Sequence, residues 1–113
     1  MDTQIQFVSN VIEPTIPLIK LTKSRNGKTG TATFLFIKPF IFKNLDHQNL
    51  YLTNMSLIWG KEKITSKEIN IKFKEGKPFL IQSLFIFKNS NEWYSFLSFM
   101  RLYSKERGLL FSD

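Results

Sequence analysis

The chain has 113 residues, with sixteen lysines and arginines against nine aspartates and glutamates, a formal net charge of +7, and no cysteine. That length suits one domain, residues 1–113, able to bury its own core, and the lack of cysteine removes disulfides and thiolate zinc sites while being compatible with a reducing compartment. The positive balance favours an anionic partner, nucleic acid or a negatively charged membrane surface; the excess of Lys over Arg, with abundant Phe, Ile and Asn, is equally what an AT-rich genome imposes.

In chain order, Met1-Asp2-Thr3-Gln4 has neither the basic start nor the apolar run of a signal peptide, and no later apolar run approaches the roughly 18 residues of a membrane span. The chain is therefore expected to be soluble and to meet a membrane only peripherally. Gln4 to Val8 reads as a first strand, and Glu13-Pro14-Thr15-Ile16-Pro17 as an extended connection, because each proline holds its predecessor out of the helical region.

Leu18 to Lys23 and Thr31 to Ile37 are strand-like runs around Thr22-Lys23-Ser24-Arg25-Asn26-Gly27-Lys28-Thr29-Gly30. Gly27-Lys28-Thr29 matches the tail of a phosphate-binding loop, but the first glycine of that motif is replaced by Thr22, and the segment after Gly30 is rich in β-branched and aromatic residues where a helix is required. The stretch reads as a β-hairpin, with Asn26-Gly27 supplying positive φ at its turn.

Pro39 stops the second of these strands, and residues 38–52 are compatible with a covering helix or a loop. Strands are expected near Asn54 to Trp59 and Ile64 to Lys74, joined at Gly60-Lys61-Glu62-Lys63. Ile69, Ile71 and Phe73 alternate with Asn70, Lys72 and Lys74, one buried face and one wet face. Glu75-Gly76-Lys77-Pro78 turns the chain into Phe79 to Phe87, apolar on nearly both faces and so expected in the middle of a sheet. Asn89 with Glu92 forms a capping box for a helix that Gly108 ends, and Trp93, Phe96, Leu97, Met100 and Tyr103 form its apolar stripe. The predicted class is α+β: a single domain with a hairpin-rich antiparallel sheet of about four to six strands and a C-terminal amphipathic helix packed on one face.

Little in the sequence carries chemistry. His47 is the one histidine and has no second ligand to complete a metal shell, and the carboxylates are scattered singly. The expectation is no enzyme, no metal and no cofactor. The competing class is a small basic RNA-binding domain, since aromatics on a sheet can stack bases. The RNA-recognition signature fails, because Thr31 stands where its first stacking aromatic belongs.

Several motifs in order carry a resemblance. Ile5-Gln6-Phe7, Glu13-Pro14-x-Ile16-Pro17 and Leu21-Thr22-Lys23-Ser24-Arg25-Asn26-Gly27-x-x-Gly30-Thr31-Ala32-Thr33-Phe34 are followed by Lys72-Phe73-x-x-Gly76-Lys77-Pro78. Asn89-x-x-Glu92-Trp93-x-x-Phe96-x-x-Phe99-Met100-x-x-Tyr103, then Gly108-Leu109 and Phe111, complete the pattern. Together they resemble the Psb28 family, the small W-type reaction-centre proteins of photosystem II, over all but about residues 38–52. The resemblance implies a non-catalytic protein on the stromal or cytosolic face of immature photosystem II, bound to the inner-antenna chlorophyll protein and reaction-centre subunits during assembly or repair. It also implies that a partner segment extends the sheet, a β-augmentation. Leu18, Lys23 and the basic last turn around Lys105 and Arg107 depart from the family pattern, and with the compositional bias they suggest a plastid-encoded algal copy. The implied location is the plastid thylakoid, stromal side, or the cytoplasmic side of the thylakoid in a cyanobacterium. Thr22, Lys23, Ser24, Arg25, Asn26 and Lys28 are then the candidate partner-binding residues, set against an ordinary solvated basic turn.

Overall fold

Strand-forming residues in short alternating runs, punctuated by Gly, Asn and Pro, fold into hairpins wherever the turn residues permit it. The computed structural model describes residues 2–44 and 52–109. In these the chain runs β1 (Thr3–Val8), β2 (Val11–Ile12), β3 (Leu18–Lys23), β4 (Gly30–Ile37), α1 (Ile41–Asn44), β5 (Met55–Trp59), β6 (Glu62–Ser66), β7 (Glu68–Lys74), β8 (Lys77–Phe87) and α2 (Ser90–Arg107). The strands divide into two antiparallel sheets of four, in the orders β2-β1-β5-β6 and β3-β4-β8-β7. This is the expected α+β class with its C-terminal helix, the strands shared between two sheets rather than gathered in one. His47 and residues 45–51 of the stretch expected as a covering helix or a loop lie outside the described residues.

Turn chemistry sets the hairpins. Gly60, at φ 54, is the first central residue between paired Trp59 and Glu62, and Glu75 and Gly76, at φ 54 and 77, both turn left-handed between paired Lys74 and Lys77. Turns of this kind match the twist of the strands they join. The run expected as one strand from Ile64 to Lys74 breaks at Lys67. There Ser66 Oγ donates to the carbonyl of Leu84 on β8 and accepts from the amide of Glu68 at 3.1 Å, so the chain leaves one sheet and enters the other. β8 is flanked by β4 and β7, the central place its apolar character predicted.

The helix α2 has the expected ends. Asn89 Oδ1 accepts the Glu92 amide at 2.9 Å, and Gly108 closes the helix at φ 69, with the Leu109 amide on the Ser104 carbonyl. The carboxylate of Glu92 reaches back to the amide of Lys88, one residue earlier than in a standard capping box.

The core is an aromatic seam running through both sheets and the helix. Phe7 of β1 meets Phe36 of β4 edge to face, with ring centroids 4.9 Å apart, and Phe96 of α2 stacks on Phe87 at 4.7 Å. Phe99 of α2 meets Trp59 of β5 at 5.4 Å, so one helix grips both sheets. Gly30 lets it approach. A Cβ there would lie 2.5 Å from the Thr22 carbonyl oxygen and 2.8 Å from the buried Trp93 ring.

Two carboxylates tie distant segments together. The buried Glu13 accepts the amides of Phe40 at 2.8 Å and Ile41 at 2.9 Å, fastening the proline-rich connection to the start of α1. Glu106 accepts the hydroxyl of Thr3 and the amides of Asp2 and Thr3, while Arg107 donates to Thr3 Oγ1 and the Thr3 carbonyl at 3.0 Å. The hydroxyl of Thr3 first, then the amide of Asp2, hold the Glu106 carboxyl down to about 2.

Two outcomes test this packing. In chemical denaturation Trp93→Ala is expected to lose about 3 to 5 kcal/mol and Gly30→Ala about 1 to 3 kcal/mol from overpacking; parental stability for Gly30→Ala would mean that the helix is not seated so closely. The second concerns acid. Because Glu106 titrates below its unfolded value of about 4.3, its contribution is complete above that pH and is lost as pH falls towards 2. Thermal melts should therefore show Glu106→Gln below the parent at neutral pH, with the gap closing by about pH 2; a gap that does not depend on pH contradicts the assignment.

Candidate partner-binding surface

The hairpin of β3 and β4 projects past the first turn of α2 as a loop of four residues, Arg25 to Lys28, between Ser24 and Thr29. The Ser24 amide bonds the Thr29 carbonyl at 3.0 Å, and the Gly27 amide bonds the Ser24 carbonyl at 3.0 Å. Side chains complete the turn: Asn26 Oδ1 accepts the Lys28 amide at 2.9 Å and the Ser24 hydroxyl at 2.6 Å, and Ser24 Oγ accepts the Thr29 amide at 3.2 Å. Positive φ falls on Gly27 alone, at 70°, so the connection is longer than a two-residue Asn-Gly turn.

The six candidate residues divide by role. Ser24 and Asn26 shape the turn. Arg25 and Lys28 are exposed at its tip, Lys23 is exposed where β3 ends, and Thr22 is exposed opposite Thr31. A strand, not a helix, comes after Gly30, so Gly27-Lys28-Thr29 lacks the helix N-terminus on which a phosphate cradle depends.

Beside this tip runs a sheet edge. β3 pairs with β4 on one side only, in the register Leu18↔Leu35 to Lys23↔Gly30. Because the Ser24 amide points at Thr29, the even-numbered residues of β3 direct their main chain to β4, and Ile19 and Leu21 present theirs outward. β7 forms the opposite edge of the same sheet, with Glu68, Lys72 and Lys74 exposed along it. Charged residues on an edge suppress indiscriminate pairing.

Two further features had weaker signals in the sequence. A groove of about 680 Å³ separates β6 from the end of β8 and the start of α2, with Ile64, Ile86, Asn91 and Ser95 on its walls. The face of the β3-β4-β8-β7 sheet turned away from α2 is the second. Among the described residues no three His, Cys, Asp or Glu side chains cluster as a metal site, and no helix is long and apolar enough to cross a membrane. Burial raises the Tyr103 hydroxyl above its ordinary value, and the ring stacks on Phe99 within the core.

Comparison with known proteins supplies what geometry alone does not. The profile of the Psb28 protein family matches residues 5–111. A protein of Gloeothece citriformis named Photosystem II reaction center Psb28 protein is 44% identical over 109 residues, covering 96% of each chain. Proteins of the same name from Cyanidioschyzon merolae and Phaeodactylum tricornutum are 38% and 37% identical, covering 95% and 99% of this chain and 94% and 97% of their own. With matches running through both sheets and the closing helix, this chain belongs to the Psb28 family.

Proposed function

We propose that this protein is a non-catalytic accessory factor of photosystem II, acting as one assembly-factor domain across residues 1–113. It binds the stromal or cytosolic face of the immature complex, at the inner-antenna protein and reaction-centre subunits, during assembly or repair. It resides at the thylakoid as a peripheral protein, on the plastid stromal side or its cyanobacterial equivalent. The observation that carries the reading is the one-sided β3 edge lying beside the exposed Arg25 and Lys28, in a chain whose near full-length relatives bear the photosystem II name. An extended partner segment gains main-chain hydrogen bonds along such an edge, and the cationic tip beside it favours a segment carrying carboxylates.

Main-chain pairing and charge are separable by mutation. Leu21→Pro removes an outward edge amide, and Leu21→Ala removes the same side chain while keeping that amide. Capture of photosystem II assembly intermediates is expected to fall much further with the proline than with the alanine. Equal losses would place the contact elsewhere. Arg25→Glu is expected to weaken capture at physiological salt and leave the melting temperature unchanged, since a loop-tip residue carries little of the core. Retention of parental capture by Arg25→Glu would reduce the tip to a solvated turn, and salt-sensitive binding to arbitrary RNA in a gel shift would favour the nucleic-acid class instead.

A further inference from the structure

An antiparallel sheet covered on one side usually alternates apolar residues inward with polar residues outward. The β3-β4-β8-β7 sheet does not. Its inward rows carry Ala32, Phe34, Phe36, Ile81 and Phe85 against α2 and the second sheet, all buried. By register its outward rows are Ile37↔Leu80↔Lys72, Leu18↔Leu35↔Gln82↔Asn70, Lys20↔Thr33↔Leu84↔Glu68 and Thr22↔Thr31↔Ile86. Six of these outward side chains are aliphatic, concentrated on the two central strands. Leu18, Ile37 and Ile86 are 64%, 47% and 56% exposed, and Leu35, Leu80 and Leu84 are half-buried only by their neighbours on the same face. No described element covers them, although β8 has the two-sided apolar character of a strand buried on both faces.

The border of this stripe is basic. Lys20 and Lys72 flank it by register, and Lys38 and Lys74 stand at its Ile37 end with their ammonium groups 5.9 and 5.2 Å from the centroid of the Phe79 ring; Glu68 is the acid beside it. Like charges would face one another if two copies met here, which argues against self-association. Successive strands are rotated by about 20 to 25°, so a four-stranded face is saddle-shaped and a flat bilayer would touch only part of it. The stripe runs about 20 Å along the strands at about 3.3 Å per residue. A helix of about 13 residues has that length.

We infer that this outward face is a second docking surface, which receives an amphipathic helix of the partner protein whose apolar side covers Leu35, Ile37, Leu80, Leu84 and Ile86 and whose carboxylates meet Lys20 and Lys72. The inference rests on the proposed docking to photosystem II and adds a side-chain interface to the main-chain one at β3.

The test uses the full chain with isolated photosystem II assembly intermediates as the probe. Ile37→Ser combined with Ile86→Ser removes exposed side chains and should leave melting unchanged while weakening capture about tenfold or more, as expected for apolar anchors at an interface. Lys20→Glu combined with Lys72→Glu leaves the packing intact and should weaken capture as well. Tyr94→Ser, at an exposed position on α2, should bind as the parent does. If both double variants bind like the parent while Leu21→Pro does not, docking is confined to the edge; this inference fails and the proposed function stands. Failure of the parent itself to bind removes both. Binding of the parent to vesicles with about 30% anionic lipid that is lost in Ile37→Ser/Ile86→Ser would make the face a lipid surface, and a dimer in sedimentation that the same variant dissolves would make it a self-interface; either result overturns the inference.

Discussion

The aromatic stripe of α2 is the constraint on which the rest of the molecule depends. The helix supplies rings to both sheets: Phe96 to Phe34 and Phe87, Phe99 to Trp59, and Trp93 to the end of the β3 and β4 hairpin. Edge-to-face and offset contacts of this kind add directional preference to area burial, so the helix fixes the angle between the sheets as well as their separation. Trp93 lies against Gly30 at the base of the hairpin, so the helix packs where the tip departs from the sheet.

That arrangement is compatible with the proposed recognition role. Several polar groups serve architecture: Glu13 at the entry to α1, Glu106 and Arg107 on the first strand, Ser66 at the crossing between sheets. What remains outward is a cationic turn, sheet edges and an aliphatic sheet face with lysines along its sides. Edge and face make different demands on a partner, the edge asking only for an extended backbone and the face for a particular set of side chains. A partner satisfying both is selected far more narrowly than by either.

Local signals were the legible ones. The caps of α2 could be read because Asn89, Glu92 and Gly108 act within a few residues of themselves, and the central place of β8 because its apolar character on both sides is written into consecutive positions. The break at Lys67 left a trace that alternation alone obscures: Ile64 faces inward on an even position, whereas Ile69 and Ile71 do so on odd ones, so the parity of the buried face changes between them. The clamp of Glu13 on Phe40 and Ile41 spans 27 and 28 positions, beyond any periodicity. Which strands would lie at edges was illegible for the same reason, since strand order is settled by long-range packing. The Ser24 to Lys28 turn was recognised as a hairpin, yet the part played by Ser24 and Asn26 in building it shows only in the hydrogen bonds.

The junction of Thr3 with Glu106 and Arg107 bears on how the molecule comes into being. A ribosome delivers β1 first and the last turn of α2 roughly a hundred residues later, which at about 5 to 20 residues per second leaves the strand waiting for seconds without the groups that anchor its start. Until then the aromatic rows of both sheets, Phe7 among them, lack the helix that completes their core. A chain interrupted before Glu106 would lack the fastening that makes its two ends one piece.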